Sequence, residues 1–153
     1  QSPFDAWQTM QGMESLPMRM DRHCENAMAV AEFLDDHSEV SWVTYPGLED
    51  HETHAAASEY LDGGYGGMIT FGLDAGYDAA RSTVESTEIA SLLANVGDAK
   101  TLIIHPASTT HQQLTDEEQQ AAGVTDDMVR LSVGTEAVDD IIADLDQAIA
   151  GSS

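Results

Sequence analysis

The spacing of apolar residues between Leu16 and Leu34 constrains the fold more than any other feature of this sequence. Side chains able to pack on a core recur there at intervals of three and four: Leu16, Met20, His23, Cys24, Ala27, Val30, Ala31 and Leu34. This spacing places them along one face of a helix. Ser15 and Pro17 are typical of a helix start, and Asp35 and Asp36 follow the last apolar turn. The sequence therefore predicts one long amphipathic helix.

Shorter elements are predicted on both sides of this helix. Ser2 and Pro3 favour a preceding helix that ends within residues 12–15. Further helices are predicted over residues 53–61, 78–85, 115–123 and 138–149, the third of them from the capping-box pair Thr115 and Glu118. Strands are predicted over residues 40–45, 68–73, 89–95, 102–105 and 128–133. This order predicts an α/β or α+β domain with a small mixed sheet and flanking helices.

Length and composition fit one folded unit. The 153 residues match a single ordinary domain, and 42% hydrophobic residues in periodic runs exceed what a solvated acidic tail carries. The longest apolar runs, at residues 89–96 and 101–104, have the length of strands and not of membrane spans. The single cysteine, Cys24, excludes an internal disulfide, fits a reducing compartment and is expected to be a packed, inert thiol. Gln1 opens the chain like a cut through a longer protein.

The charge balance excludes some partners. Asp and Glu total 28 against 5 Lys and Arg, which gives a net charge of -23. Nucleic-acid binding needs clustered cations, and anionic lipid also repels such a surface, so neither is an expected partner. The acids are spread along the chain, and concentrated salt would screen their repulsion. We therefore expect a cytoplasmic protein of a salt-adapted organism, with an acidic surface in ordinary salt as the alternative.

Most motifs that suggest chemistry have a plainer interpretation. His51 and His54 lie in an acidic loop without a third metal ligand. The glycine-rich residues 63–67 lack the lysine of a phosphate-binding loop, and no aspartates have calcium-loop spacing. His105 and His111 flank a polar turn, which is either only a turn or the edge of a site. No metal site is predicted.

Arg130 is the informative cation. Alternation in the predicted strand 128–133 places it on one face with Met128 and Ser132. Burying a guanidinium is costly unless it pairs with an anion. Its planar set of N–H donors can form two hydrogen bonds to a carboxylate. Arg130 therefore either pairs with one of the many acids or receives a substrate carboxylate.

Several stretches taken together resemble a known family. The most specific are NVGDAK at residues 95–100, HPASTTH at 105–111 and RLSVG at 130–134; residues 2–4, 13–20, 23–27 and 45–48 add to them. In this order they resemble the C-terminal part of the pyridoxal-phosphate-dependent Cys/Met metabolism (transsulfuration) enzymes, and most closely the O-acetylhomoserine sulfhydrylase branch. The resemblance runs essentially from end to end.

The resemblance implies a fold-type-I, aminotransferase-like enzyme. Residues 1–36 would be interdomain connecting helices, and residues 37–153 the C-terminal small domain. Arg130 takes the position of the family's arginine that grips the substrate carboxylate, and Asn95 a position that helps to hold it. Thr110 and His111 would border the pocket.

The same resemblance implies the reaction and the partners. The complete enzyme would use pyridoxal 5'-phosphate to convert O-acetylhomoserine and sulfide into homocysteine and acetate, commonly as a homotetramer. The lysine that carries the cofactor would lie in an upstream cofactor domain, because Lys100, the one lysine here, is expected on the surface. No catalytic residue is assigned in this chain, which alone should be inactive.

Other interpretations stay open. Methionine gamma-lyase and cystathionine gamma-synthase are neighbouring activities of the family. A separate polypeptide that supplies the cofactor domain would leave Phe4, Trp7 and Met10 as exposed apolar surface. A non-catalytic acidic module of a halophile is the alternative from another class.

Overall fold

The computed structural model describes residues 1–152 and forms one mixed sheet with helices against it. The elements in chain order are α1 (Pro3–Glu14), α2 (Leu16–Asp35), β1 (Val40–Thr44), α3 (His54–Tyr60), β2 (Met68–Leu73), α4 (Tyr77–Ser86), β3 (Ser91–Leu92), β4 (Leu102–Ile104), α5 (Asp116–Ala121), β5 (Met128–Ser132) and α6 (Val138–Ala150). The predicted fold class, a small mixed sheet with flanking helices, is confirmed.

The sheet has the strand order β1-β2-β5-β4-β3. All neighbouring strands are antiparallel except β3 and β4, which are parallel. Arg130 in β5 lies opposite Thr70 of β2 on one side and Ile104 of β4 on the other. Since paired residues share a face, these three side chains lie on the same side of the sheet. The alternate residues of β5, Val129 and Leu131, are on the other side and fully buried.

That other side carries the core, because α2, α4 and α6 pack on it. Their buried residues join those of the strands in one cluster, which includes Ala27, Val30 and Leu34 of α2, Ala80 and Val84 of α4, and Ile141, Leu145 and Ile149 of α6. Each helix places these residues three or four positions apart, as the sequence predicts. Three helices thus cover one face of the sheet.

The apolar stripe of α2 is buried only along its later turns. Leu16 is 42% exposed and Met20 is 38% exposed, and α1 contributes no buried residue. Cys24 is half-buried and free, so the expected packed thiol is only partly enclosed. The side chain of Ser15 accepts a bond from Arg19 Nε and does not cap α2, in contrast to Ser2, which caps α1 as predicted. No helix within residues 1–152 is long and apolar enough to cross a membrane.

The predicted strand over residues 89–95 is wrong in extent, because β3 contains only Ser91 and Leu92. The carboxylate of Asp144 on α6 accepts hydrogen bonds from the backbone N–H groups of Glu88, Ile89 and Ala90, at 2.7, 3.0 and 2.9 Å. These donors are therefore bound to a helix and not to a neighbouring strand. This explains why β3 begins at Ser91 and not at Ile89, because backbone donors that already have this partner cannot pair with a strand.

Candidate functional site

The sheet face opposite the three helices is only partly covered. Met68, Thr70, Met128 and Arg130 on this face are half-buried, whereas Ser132 at the end of β5 and the β4 residues Leu102 and Ile104 are buried. We call this surface the open face. It presents a cation and hydroxyl groups from the middle of the sheet, on backbone that the strand pairing holds rigidly.

Arg130 has no anionic partner on the open face. Within residues 1–152 the guanidinium makes no ion pair and no side-chain hydrogen bond, whereas Arg22 and Arg81 each contact a glutamate on their own helix. A half-buried guanidinium has lost part of its hydration. Without an anionic partner in the protein, it favours the binding of an anion. Its fork of donors matches a carboxylate best. Of the two sequence interpretations, pairing with a neighbouring acid is thus not observed.

Asn95 lies in a loop that reaches the open face, defined here as the Asn95 loop, residues 93–97. Strand β3 runs parallel to β4 with Leu92 opposite Ile103, so the chain after Leu92 continues toward the level of Ile104 and Arg130. The loop then returns to Ser132, whose hydroxyl accepts a hydrogen bond from the Gly97 N–H at 3.3 Å. Asn95 itself is exposed, and its Oδ1 accepts from the Val96 N–H at 2.9 Å. The loop that carries Asn95 thus adjoins β5, which carries Arg130, at Ser132.

The chain after β5 fixes the end of this loop. The carboxylate of Glu136 accepts from the Thr101 N–H at 2.7 Å and from the Thr101 hydroxyl at 2.9 Å. The Gly134 N–H donates to Thr101 Oγ1 at 2.9 Å, and a side chain at Gly134 would overlap Glu136 and the backbone of Thr101. Thr135 donates twice to the carbonyl of Ala99. Residues 132–136 thus hold residues 97–101 in place.

Helix α2 holds the same chain segment from its other side. His23 Nδ1 lies 2.6 Å from the carbonyl oxygen of Val133, and Asn26 Nδ2 donates to the carbonyls of Gly134 and Glu136 at 3.0 and 2.9 Å. Sequence analysis missed the roles of these residues, as it missed those of Thr101 and Glu136. A polar residue within an apolar helical stripe, as His23 is, was the available signal.

Thr110 and His111 lie in the turns that follow β4. Thr110 Oγ1 is 2.9 Å from His111 Nδ1, and Gln119 of α5 donates to the His111 carbonyl at 3.0 Å. No hydrogen bond joins either residue to Arg130 in the described part of the chain. The position of these turns, directly after Ile104, is compatible with the predicted pocket border, which stays a prediction.

His105 has a structural role. It is fully buried, with Nδ1 2.9 Å from the Ser108 hydroxyl and Nε2 2.8 Å from the Asp126 carbonyl. Both ring nitrogens are thus occupied. The ring supports the turns that carry Thr110 and His111 and does not form a site edge itself.

The residues present do not fit a covalent cofactor site. Lys100 is exposed in a turn that Asp98 holds through the Lys100 N–H, so the one amine available for covalent attachment is not in a cleft. Among residues 1–152 no group of three or more His, Cys, Asp or Glu is placed to hold a metal ion. What this surface can do chemically is bind and orient an anion.

The fold and the site define a mixed α/β domain that presents an unpaired arginine on the uncovered face of its sheet. Comparison with known proteins identifies the family of this domain. Residues 1–150 match the family described as Cys/Met metabolism PLP-dependent enzyme. The chain belongs to this family.

Curated relatives agree with this assignment. The chain is 54% identical to a homocysteine synthase of Schizosaccharomyces pombe and 53% identical to an O-acetyl-L-homoserine sulfhydrylase of Leptospira meyeri, over 97% of the chain in both cases and 34% of each relative. It is 47% identical to an L-methionine gamma-lyase of Fusobacterium nucleatum over 96% of the chain and 37% of the relative. The chain thus spans about a third of the length of these relatives.

Solved structures share the fold. A structure described as an O-acetylhomoserine (thiol)-lyase of Campylobacter jejuni, which carries a pyridoxyl-lysine phosphate, matches with a TM-score of 0.91 and 45% identity over 97% of this chain and 35% of that one. A cystathionine gamma synthase of Xanthomonas oryzae, in complex with aminoacrylate and cysteine, matches with a TM-score of 0.90 and 40% identity over 99% and 39%.

Proposed function

We propose that this chain is the substrate-carboxylate-binding domain of a pyridoxal-phosphate-dependent O-acetylhomoserine sulfhydrylase. The complete enzyme would convert O-acetylhomoserine and sulfide into homocysteine and acetate. The cofactor would supply the electron sink, held by residues outside this chain. The observation that carries the proposal is the half-buried guanidinium of Arg130, which has no ionic partner within residues 1–152.

Arg130 would bind and orient the substrate and would not itself perform chemistry. A fork of two donors fixes both the position and the plane of a carboxylate. Because β2 and β4 flank β5, the arginine backbone cannot move to follow a misplaced substrate. A fixed carboxylate presents the rest of the amino acid in one orientation, which is the positioning contribution to catalysis. Asn95 would donate its amide N–H to the same carboxylate.

The exposed apolar face of α1 supports the placement of residues 1–36 between domains. Phe4, Trp7 and Met10 are 66%, 56% and 64% exposed, at intervals of three residues. Apolar surface of this kind favours burial against another domain or subunit. A cofactor domain, in the same chain or in a separate polypeptide, and the homotetramer implied by the resemblance are the proposed sources of that cover. Without them the chain would bind substrate weakly and would not turn it over.

The test uses a fusion in which this chain replaces the matching third of the Leptospira meyeri sulfhydrylase. Arg130→Ala should raise the KM for O-acetylhomoserine at least about tenfold, because a hydrogen bond to a charged group contributes about 1.5–3 kcal/mol. Arg81→Ala is the matched control, since Arg81 forms an exposed ion pair with Glu85 on α4 and lies outside the proposed carboxylate site. An unchanged KM in the Arg130 variant would refute the assignment.

Two neighbouring reactions are alternatives because relatives carry them. One relative is a methionine gamma-lyase at 47% identity and one solved structure is a cystathionine gamma synthase at 40% identity. All three reactions need a bound amino-acid carboxylate, so Arg130 does not discriminate among them. Supplying the fusion with O-acetylhomoserine plus sulfide, O-acetylhomoserine plus cysteine, or methionine alone, and identifying the products, separates them.

A further inference from the structure

A polar cavity lies between α4 and the turns that follow β4. Its volume is about 510 Å³, within the roughly 300–1,000 Å³ of small-molecule sites. Its walls come from α4, the turns between β4 and α5, α5 itself and Asp126 before β5. Arg130 and Asn95 do not line it. The cavity is therefore separate from the proposed carboxylate site.

The serine and threonine hydroxyls of this wall direct their protons into the protein. His105 Nε2 lies 2.8 Å from the carbonyl oxygen of Asp126, which only accepts, so Nε2 carries the ring proton. Nδ1 of the neutral ring then accepts from the Ser108 hydroxyl at 2.9 Å. The Thr109 hydroxyl donates to the His105 carbonyl at 2.7 Å. Both hydroxyl oxygens are left with lone pairs, so they are acceptors for a ligand.

Gln119 of α5 gives the wall a further acceptor. The residue is 8% exposed, and its Nε2 donates to the carbonyls of Ala107 and His111, at 3.4 and 3.0 Å. Its Oε1 accepts no hydrogen bond within residues 1–152, and unlike His23 Nε2 it is not closed off from solvent. Because Gln119 lines the cavity, this nearly buried side chain presents an unpartnered acceptor to a ligand there.

Two carboxylates of the wall are unpaired. Arg81 Nε donates to Glu85 at 3.0 Å, so the charges of these two wall residues cancel. The side chains of Asp116 and Asp126 form no ion pair and accept no hydrogen bond within residues 1–152. Unpaired carboxylates beside oxygen acceptors favour a cation with several N–H donors.

The composition of the wall narrows the kind of cation. A metal ion is disfavoured because no group of three or more His, Cys, Asp or Glu in residues 1–152 is placed to hold one. An amino acid is disfavoured because its carboxylate would meet like charge, while the arginine of the wall is engaged by Glu85. A polyol brings no charge to compensate the aspartates. Ala107 and Leu114 add an apolar part to the wall, which suits an aliphatic chain.

We propose that this cavity binds an aliphatic diamine as its dication. One ammonium group, which has three N–H donors, would donate to Gln119 Oε1 and to the hydroxyl oxygens of Ser108 and Thr109. Asp116 and Asp126 would compensate the two positive charges. The net charge of -23 raises the local concentration of any cation, and the directed acceptors of the cavity select one that carries N–H groups.

The test is isothermal titration calorimetry of the full 153-residue chain with 1,4-diaminobutane, at the lowest KCl concentration that keeps the chain folded. We expect one saturable site. In NMR spectra of the 15N-labelled chain, the side-chain amide of Gln119 should shift along the same saturation curve, because its oxygen gains a donor. 1-Aminobutane, which has one charge, should bind at least about tenfold more weakly. Magnesium chloride supplies charge without N–H donors and should leave the Gln119 amide signal in place.

Paired variants separate this site from general attraction to an acidic surface. Asp116→Asn combined with Asp126→Asn should lower the affinity at least about tenfold, because both compensating charges are lost. Neither side chain makes a hydrogen bond within residues 1–152, so the variant should fold, which circular dichroism checks. Glu49→Gln combined with Asp50→Asn removes the same charge from an exposed loop outside the cavity and should keep the affinity within about threefold.

Three results would overturn the proposal. They are a folded chain with no saturable diamine binding, an equal loss of affinity in the two paired variants, and a Gln119 amide shift that magnesium produces as well as the diamine does. Arg130→Ala should retain diamine binding, because Arg130 does not line the cavity. Failure of the carboxylate site and failure of the diamine site are thus separate outcomes.

Discussion

Arg130 and Glu136 carry opposite charges and have different roles in the site. Arg130 has no anion to meet it within residues 1–152, although the chain has 28 acidic residues. The carboxylate of Glu136, six residues later, accepts hydrogen bonds from the N–H and the hydroxyl of Thr101. One group is thus left available for a ligand, and the other holds the backbone that leads into the Asn95 loop.

Glu136→Gln tests the holding role. A glutamine has one acceptor oxygen, so one of the two Thr101 donors would lose its partner and face an amide N–H. We expect the free energy of unfolding to fall by about 1–3 kcal/mol, measured by urea denaturation. In the fusion enzyme the KM for O-acetylhomoserine should rise as the loop loosens.

Glu85→Gln is the matched control for that substitution. Glu85 is exposed and pairs with Arg81 on the surface of α4, a contact of small energetic value. Its unfolding free energy should change by less than about 0.5 kcal/mol. Equal losses in the two variants would show that Glu136 is an ordinary surface charge.

Among the elements, the predictions that succeeded rest on local signals. Ser2 caps α1 and Thr115 forms the capping box with Glu118, both as predicted, and α6 buries its apolar stripe. The predictions that failed involve partners far along the chain. Asp144 delays the start of β3, because its carboxylate accepts from backbone donors more than fifty residues before it. Local periodicity cannot reveal such a contact, because the carboxylate and the strand meet only after folding.

The candidate site divides in the same way. Alternation in β5 predicts the face on which Arg130 lies, and the structure adds its neighbours on that face, Thr70 and Ile104. The bonds from Ser132, Thr135 and Glu136 to residues 97–101 span more than thirty residues, so the sequence alone could not supply them. The binding role of Arg130 was one of two alternatives that the strand pattern left open, and family resemblance favoured it; the roles of Asn95, Thr110 and His111 came from family resemblance alone. All four stay predictions.

Helix α5 supports the turns that carry His111, and its capping box allows a test. Thr115 Oγ1 accepts from the Glu118 N–H at 3.3 Å, and Gln119 in the same helix donates to the His111 carbonyl. Thr115→Ala should destabilise this helix by about 1 kcal/mol. Amide hydrogen exchange in residues 107–122 should then accelerate, while the sheet stays protected.

Thr53→Ala is the control for the capping variant. Thr53 precedes α3, but its side chain makes no cap bond to that helix, so exchange in α3 should change little. Acid provides a second check. Hydrogen bonds from the backbone and side chain of Thr115 lower the pKa of Glu118. The stabilisation is therefore present above the ordinary glutamate pKa and is lost as pH falls through the lowered one. Unchanged exchange at low pH would contradict the role of the box.

At the scale of the whole molecule, the arrangement of charge sets the conditions under which the fold is stable. A net charge of -23 on one small domain opposes compaction, and within residues 1–152 only two ion pairs involve arginine. Most of the acids therefore repel one another through solvent. Added salt shortens the range of this repulsion, from about 10 Å at 0.1 M to about 3 Å at 1 M.

We accordingly expect the Tm of the chain to rise by several degrees between low and molar KCl, measured by thermal melts followed by circular dichroism. A variant with Glu49→Gln, Asp50→Asn and Glu52→Gln removes three exposed charges from one loop without touching the core. It should melt higher than the parent at low salt and gain less from KCl, because less repulsion remains to be screened. Equal salt gains in the two proteins would point to a general effect of salt on apolar burial. No gain in either would remove the case for adaptation to a saline interior.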